Sequence, residues 1–356
     1  MSIYAGLDVS DKTTHICVVD VEGRVLRRDV VASDPDVLAK WLNQHCAGLV
    51  RVVLETGTLS TFLYHGLAEH GVPVECICAR HAKGVLSVRI NKSDVHDAEG
   101  LAQLARTGWF KRVHMKASAT HIDRAALRIR AQLITARTSM ANQLRGLLKL
   151  FGLRIGTART PARRAERLTA LYSQRPDLKA LFAPLIASME TIEEQLRASS
   201  RLLGERAIAD PVCARLMTVP GVGPITALTY TASIEDPRRF ARSDDVGAYA
   251  GLVPRRNQSG ERDTSGHISK AGDPMLRRAL YEAANVLLSQ VKKPFALQIW
   301  GKKIAEAKGA KRARTAVARK LAALLHSLWL NETEFAGPEP DGLLPISHAR
   351  TISSAL

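Results

Sequence analysis

The stretches IYAGLDV (residues 3–9) and VRVVLE (residues 50–55) decide how this chain folds. Both are short apolar runs with little alternation, the pattern of strands buried on both faces in a parallel sheet. Each brings an acid to its end, Asp8 in the first and Glu55 in the second. Open α/β sheets present their ligands at the carboxyl ends of strands, so both carboxylates are expected at one rim. In KSDVHDAEGLAQLAR (92–106), Val95, Ala98, Leu101, Ala102 and Ala105 recur at a helical period. Asp94 and Asp97, three apart, therefore share a helix face, and two helical acids are expected to meet two strand acids.

Working outward, residues 14–20 and 24–31 read as two further strands joined at VEGR, where Glu22-Gly23 suits a tight turn. A helix over 35–45 leads into the Glu55 strand, a second over 59–70 ends near Gly71, and VPVECIC makes a strand before the helix with two Asp residues. The order β-β-β-α-β-α-β-α is that of an RNase H-like domain, assigned to residues 1–118. Taken singly, each acid would pass for a cap or a solvated surface group. As a set, four carboxylates repel one another unless cations neutralise them, and oxygen-only ligands suit Mg²⁺ or Mn²⁺. Two such ions about 3.5–4 Å apart can polarise a phosphate and stabilise attacking and leaving oxygens.

The composition narrows the partner. Lys and Arg number 51 against 34 Asp and Glu, a formal charge of +17. That excess calls for a polyanion, and nucleic acid fits better than a membrane because no long amphipathic basic helix opens the chain. Ribosomal and architectural proteins share such a charge, so it sets a class and not a chemistry. Hydrophobic residues make up 46% of the chain, and 356 residues allow two or three soluble domains. Cys17, Cys46, Cys76, Cys78 and Cys213 form no CxxC pair and read as reduced packing residues. No run approaches 18 apolar residues, so no membrane association is expected, and the expected location is cytoplasmic, beside the nucleoid.

Residues 119–210 read as a coiled-coil, dimerisation and linker segment. One seam runs through Ile122, Ala126, Ile129, Leu133, Ala136 and Met140 before shifting to Leu144, Leu147 and Phe151. The other runs through Leu178, Phe182, Leu185, Met189, Ile192 and Leu196, with Pro184 expected to kink the helix or mark its start. These seams predict a dimer or a larger even assembly; pairing within one chain is the competing explanation. The basic segment 154–168 reads as a linker or flexible nucleic-acid contact.

Residues 211–330 form a mostly helical region. In LMTVPGVGPITALTYTASI (216–234) the PGVG turn resembles a helix-hairpin-helix phosphate turn, with a plain αα connection as the alternative. Asp273 caps a helix that starts at Pro274 and carries Arg277 and Arg278. The polar, glycine-punctuated stretch before it holds Ser259 among Arg255, Arg256, Arg262, His267 and Lys270, a setting in which a serine nucleophile could meet a scissile phosphate. Ser265 and Ser269 compete with it. Between Lys292 and Lys320 ten Lys or Arg residues, including Lys311, Arg312 and Arg314, stand against one acid, Glu306, which suits a duplex-tracking helix better than a solvated face. Residues 331–356 read as a mobile tail.

In this order GLDVSDKT, VLETGT, KSDVHDAEGLAQLAR, TVPGVGPITA, GLVPRRNQSG and GHISKAGDPMLRRALYEAA make the chain resemble, over about residues 3–330, a DEDD-type transposase of the insertion-sequence one-ten family, the Piv-like group that includes bridge-RNA-guided recombinases. The resemblance implies an N-terminal domain similar to Holliday-junction resolvases, a coiled-coil dimerisation segment and a C-terminal transposase domain with an essential serine. Carried onto this sequence, the acids are Asp8, Glu55, Asp94 and Asp97 and the serine is Ser259. It implies a covalent phosphoserine link to DNA assisted by Mg²⁺, donor and target DNA as substrates, a bridge RNA, a dimer or tetramer, and an active site composite across protomers. Two rival readings remain open here: a Mg²⁺-dependent hydrolytic junction resolvase or nuclease, and a non-catalytic architectural DNA-binding protein. A third, an actin-like or sugar-kinase-like ATPase, would need a second Gly-rich phosphate turn and an adenosine site, and the sequence offers neither.

Overall fold

The computed structural model describes residues 1–86, 93–156, 160–260 and 262–336, and the chain divides into two compact units, Met1–Ala117 and Ser118–Leu356. In the first, β1 (Ile3–Val9), β2 (Thr13–Val19), β3 (Val25–Ala32), α1 (Pro35–His45), β4 (Leu49–Glu55), α2 (Ser60–Glu69), β5 (Val74–Ile77), α3 (Ala79–Leu86) and α4 (Asp94–Thr107) follow in order. The strands form one sheet in the order β3-β2-β1-β4-β5. β1, β2 and β3 pair antiparallel, whereas β4 and β5 run parallel to β1, which is the RNase H-like arrangement. Helix α3 is not expected from the sequence: among its described side chains only Ala82 is fully buried, too little for a periodic signal.

Strand alternation divides the core between the two faces of the sheet. Ile3, Ala5, Leu7, Val52 and Leu54 pack with Leu38, Leu42, Leu63 and Leu67 of α1 and α2. On the opposite face Cys17, Val19 and Val53 meet Ala98, Leu101, Ala102 and Ala105 of α4. Gly6 is what lets α4 lie so close. A Cβ there would come under 3.0 Å from main-chain atoms of Ala98, Leu101 and Ala102. The same face of β1 therefore runs Tyr4, Gly6, Asp8, with α4 resting on the glycine.

The second unit contains α5 (Ser118–Leu150), α6 (Pro161–Gln174), α7 (Pro176–Ala209), α8 (Pro211–Leu216), α9 (Pro224–Ile234), α10 (Asp245–Tyr249), the hairpin strands β6 (Pro254–Ser259) and β7 (Arg262–Ile268), α11 (Pro274–Ser289), α12 (Ala296–Lys308) and α13 (Ala310–Leu330). α5 and α7 pack antiparallel within the chain. Leu127 lies in one core cluster with Leu203 and Ala207, and Leu144 and Leu148 lie in another with Leu178, Phe182 and Met189. The second seam is thus satisfied internally. The first differs from expectation, because Ile122 and Ile129 are about 60% exposed while Leu127 is buried. Helix α7 runs on through Pro184, and its start is set by Pro176 at the first turn.

Three further expectations change. The segment expected as a linker is helical from Pro161, capped by Thr160 and tied to α7 by a buried Arg164–Glu193 pair at 2.6 Å; residues 157–159 lie outside the described residues. The PGVG turn joins α8 to α9, but the demand for glycine at 221 comes from packing: its φ is +92°, and a Cβ would sit 3.0 Å from the Ala283 carbonyl of α11. The expected tail at 331–356 is packed where it begins, with Phe335 stacked edge-on against Phe295 and its N–H donated to Thr218 Oγ1. Its remainder, from 337, lies outside the described residues.

Candidate active site

Asp8 and Glu55 each directly follow a paired residue, since Leu7 stands beside Leu54 in the parallel β1–β4 pair. By alternation Asp8 lies on the face of Gly6 and Glu55 on the face of Val53, the face covered by α4. Ser93 caps α4 by accepting the His96 N–H. Asp94 stands one turn before buried Ala98 and Asp97 one turn before buried Leu101, so both extend the stripe that α4 lays on the sheet. The four acids thus share one face at the carboxyl rim of β1 and β4. Acids in a first turn also complement the helix dipole, which accounts for Asp94 and Asp97 sitting there without strain.

The side chains do not close into a compact cluster: among the described residues no three His, Cys, Asp or Glu groups stand close enough to hold a metal ion. Asp94 instead lies 3.7 Å from Nε2 of His15, the residue across the strand pair from Asp8. A shallow depression beside them is lined by His15, Arg28, Asp29, Val30 and Val95. Glu55 makes itself felt on its other side, where burial, and after it the Glu55 carboxylate, push the Cys76 thiol up to about 12. That thiol is inert packing. The chemistry of the donor set, oxygen only and negative, fits a hard divalent cation.

The region around Ser259, expected as a polar loop, is a hairpin whose strands are exposed along almost their whole length. Ser259 ends β6 directly opposite Arg262, and Asn257 stands opposite Thr264 on the same face. Arg256 and Ser265 form a cross-strand pair on the other face, so Ser259 and Ser265 point to opposite sides. Ser269 Oγ accepts the Ala271 N–H, and its carbonyl accepts from Arg255 Nη2 at 3.3 Å. Ser259 and Ser265 both stand opposite an arginine, Arg262 and Arg256, but Arg256 is held by Asp263.

Some of the expected phosphate contacts are occupied. Arg256 holds Asp263 through three bonds, Nε to Oδ1 at 2.9 Å and to Oδ2 at 3.1 Å, and Nη2 to Oδ2 at 2.7 Å. Arg277 is half-buried and donates to the Ala250 carbonyl at 3.0 Å, which makes it a structural group. Arg262, Lys270, Lys311 and Arg312 are exposed, and Arg314 is half-buried. The basic run expected between 292 and 320 is carried largely by α12 and the first half of α13.

The chain thus carries an RNase H-like sheet with acids at its rim and a helical unit with an exposed serine hairpin. Two family models match, one described as "Transposase IS116/IS110/IS902 family" over residues 213–299 and one described as "Transposase", of DEDD IS110 type, over residues 5–152. The chain is 32% identical to the transposase for insertion sequence element IS1111A of Coxiella burnetii, covering 91% of this chain and 88% of that one. It is 31% identical to a probable family 20 transposase of Pseudomonas aeruginosa, over 75% of this chain and 80% of that one. Among solved structures, Thermus thermophilus RuvC in complex with Holliday junction substrate aligns with 32% of this chain and all of its own, at 18% identity and a TM-score of 0.25. The chain belongs to the IS110-type family of transposases. No helix among the described residues is long and apolar enough to cross a membrane.

Proposed function

We propose that this transposase cuts and rejoins DNA through a phosphoserine intermediate, with Ser259 as nucleophile and Asp8, Glu55, Asp94 and Asp97 as the acids that hold Mg²⁺ or Mn²⁺. The observation that carries the reading is the placement of all four acids on one face at the carboxyl rim of the sheet. In this reading residues 1–118 form the catalytic domain, 119–210 an arm, and 211–330 the serine-bearing domain. A bound divalent cation would supply neutralisation of phosphate charge between the carboxylates. Ser259 Oγ would lose its proton and bond to phosphorus, displacing one deoxyribose oxygen that leaves as a hydroxyl. The phosphodiester energy is then kept in the serine ester, and attack by a second hydroxyl restores the serine. Arg262, across the strand pair, suits the developing negative charge.

Two further elements belong to the proposal. Guidance by a bridge RNA pairing with donor and target DNA rests on the family resemblance and on the charge of +17. A homo-oligomer, dimer or tetramer, is supported by Ile122 and Ile129 on α5 and Leu202 and Ile208 on α7, which leave apolar surface for a second copy to cover.

The test is a trapped adduct on a nicked or mismatched DNA substrate, digested and read by mass spectrometry. A DNA-linked peptide carrying Ser259 is expected, with no adduct from Ser259→Ala and an unchanged melting temperature, because an exposed hydroxyl adds little stability. Linkage through Ser265 or Ser269 would move the nucleophile, and cleavage without any adduct would favour the hydrolytic resolvase. Asp97→Asn should slow cleavage by on the order of a hundredfold or more, the scale set by removing one preorganised charge-stabilising group. Chelation should stop the wild-type reaction and added Mn²⁺ restore it; cleavage that persists in chelator contradicts the metal role.

A further inference from the structure

Trp109 is 70% exposed, the most exposed tryptophan of the chain. It stands on a connection that is otherwise tightly held. Gly108 caps α4 in the left-handed conformation, and its N–H is bonded to the Leu104 carbonyl. Phe110 packs against the core of the α4 face, with the Arg51 guanidinium 5.7 Å from its ring centroid. The Lys111 carbonyl accepts from the Cys78 N–H, and the Lys111 N–H is donated to His81 Nδ1 at 3.0 Å. With its neighbours fixed on both sides, the indole is directed outward, and the His81 ring braces it edge-on with centroids 5.8 Å apart.

The surroundings are positive. From Ala79 to Ser93 and from Gly100 to Ile122 the sequence has no Asp or Glu. Arg80 and Lys83, exposed on α3, and Lys111, exposed beside the indole, come from those two segments. Their place relative to the acids is set by the sheet. Glu55 pairs with Ile77 of β5, and Ile77 in turn bridges to Arg112. The chain at Lys111 and Arg112 thus lies two strand spacings beyond Glu55 along the same rim, roughly 10 Å, and Trp109 precedes it by two residues. Glu75, the nearby acid, is taken up by Arg51 and Arg112, and an open aromatic face with flanking cations is the pattern that takes a nucleobase on the ring and its phosphates on the side chains. In a base-paired duplex the base faces are stacked on one another and unavailable.

We infer that Trp109, with Arg80, Lys83 and Lys111, forms a stacking platform for an unpaired nucleotide beside the acidic rim, holding a single-stranded or flipped segment of the nucleic acid next to the cleavage site. The shared chemistry is an unstacked base on a phosphodiester, so DNA and RNA strands are separate arms of the test. The inference rests on the transposase reading only in that the protein binds nucleic acid.

The experiment measures binding of the full chain and its variants to labelled single-stranded DNA, single-stranded RNA and fully paired DNA duplex of one sequence, at fixed salt. Trp109→Ala should weaken single-strand binding about tenfold, Trp109→Phe should retain most of it, and duplex binding should be unchanged. Lys111→Ala should weaken single-strand binding and flatten its salt dependence. Indole fluorescence quenched by single strands in the wild type should be lost in Trp109→Phe. The DNA and RNA arms tell which strand the platform prefers, and a tenfold loss in either supports it. Unchanged single-strand binding by Trp109→Ala, or an equal loss on duplex, overturns the platform. Absence of nucleic-acid binding by the wild type would instead strike at the function itself.

Discussion

Gly6→Ala should dislodge α4 and abolish strand cleavage. The added Cβ would come under 3.0 Å from Ala102 N, Ala98 O and Leu101 C, all main-chain atoms of a helix that cannot rotate aside as a side chain would. Overpacking against side chains costs about 1–3 kcal/mol, and against a helix backbone the cost should reach or exceed the top of that range. Because α4 carries Asp94 and Asp97, the same displacement moves two of the four acids away from Asp8 and Glu55. Thermal unfolding of the full chain and a cleavage assay report both effects. Gly146→Ala, on an exposed position of α5 with nothing near its added Cβ, is the control, and should be neutral or stabilise by up to about 1 kcal/mol. Wild-type stability in Gly6→Ala would mean that α4 does not rest on β1 in solution.

The second large effect is expected at Asp273, on the stability of the helical unit. Its carboxylate faces Arg124 of α5 at 2.8 Å, with both side chains about nine-tenths buried, and it also caps α11 by accepting the Met275 N–H. Burial alone would raise this carboxyl, but Arg124 and the cap bonds outweigh it and hold it below the ordinary carboxylate range. Asp273→Ala strands a buried guanidinium and should cost about 3–5 kcal/mol. Asp273→Asn, which keeps a capping oxygen, should cost less. With a folded pKa below the unfolded one, the carboxylate's contribution is fully present above the unfolded value of about 3.9 and is lost as pH falls through the folded pKa. The stability gap between wild type and Asp273→Asn should therefore narrow in acid, below about pH 4, as followed by denaturant titration. A gap that persists unchanged to pH 2 would show that the pair is not what the carboxylate contributes.

The parts of the site legible in the sequence are those where burial writes a period. Asp8 and Glu55 end apolar runs, and Asp94 and Asp97 precede the stripe Ala98, Leu101, Ala102, Ala105, so their elements and faces follow from alternation and helical spacing. The hairpin around Ser259 looks like a loop in the sequence because PRRNQS and RDTSGHI bury almost nothing, leaving no alternation to detect. Helix α6 resembles a linker in the sequence for a similar reason, since Leu168 is its one fully buried residue among many charges.

By itself, then, the sequence determined the strand order's raw material, the four acids at element ends, the cap at Asp273 and the positive charge, all of which are local or additive properties of the chain. Only the tertiary structure decided which of two apolar registers α5 buries, because Ile122 and Leu127 both fit a helical period and the choice belongs to what α7 and α9 present to it. The tertiary structure likewise tied Arg256 to Asp263 and Arg277 to the Ala250 carbonyl, withdrawing two cations that composition would assign to DNA. It also turned Trp109 outward by anchoring the residues on either side. Which partner a side chain meets is a long-range outcome, set by packing between elements distant in sequence, and no local pattern encodes it.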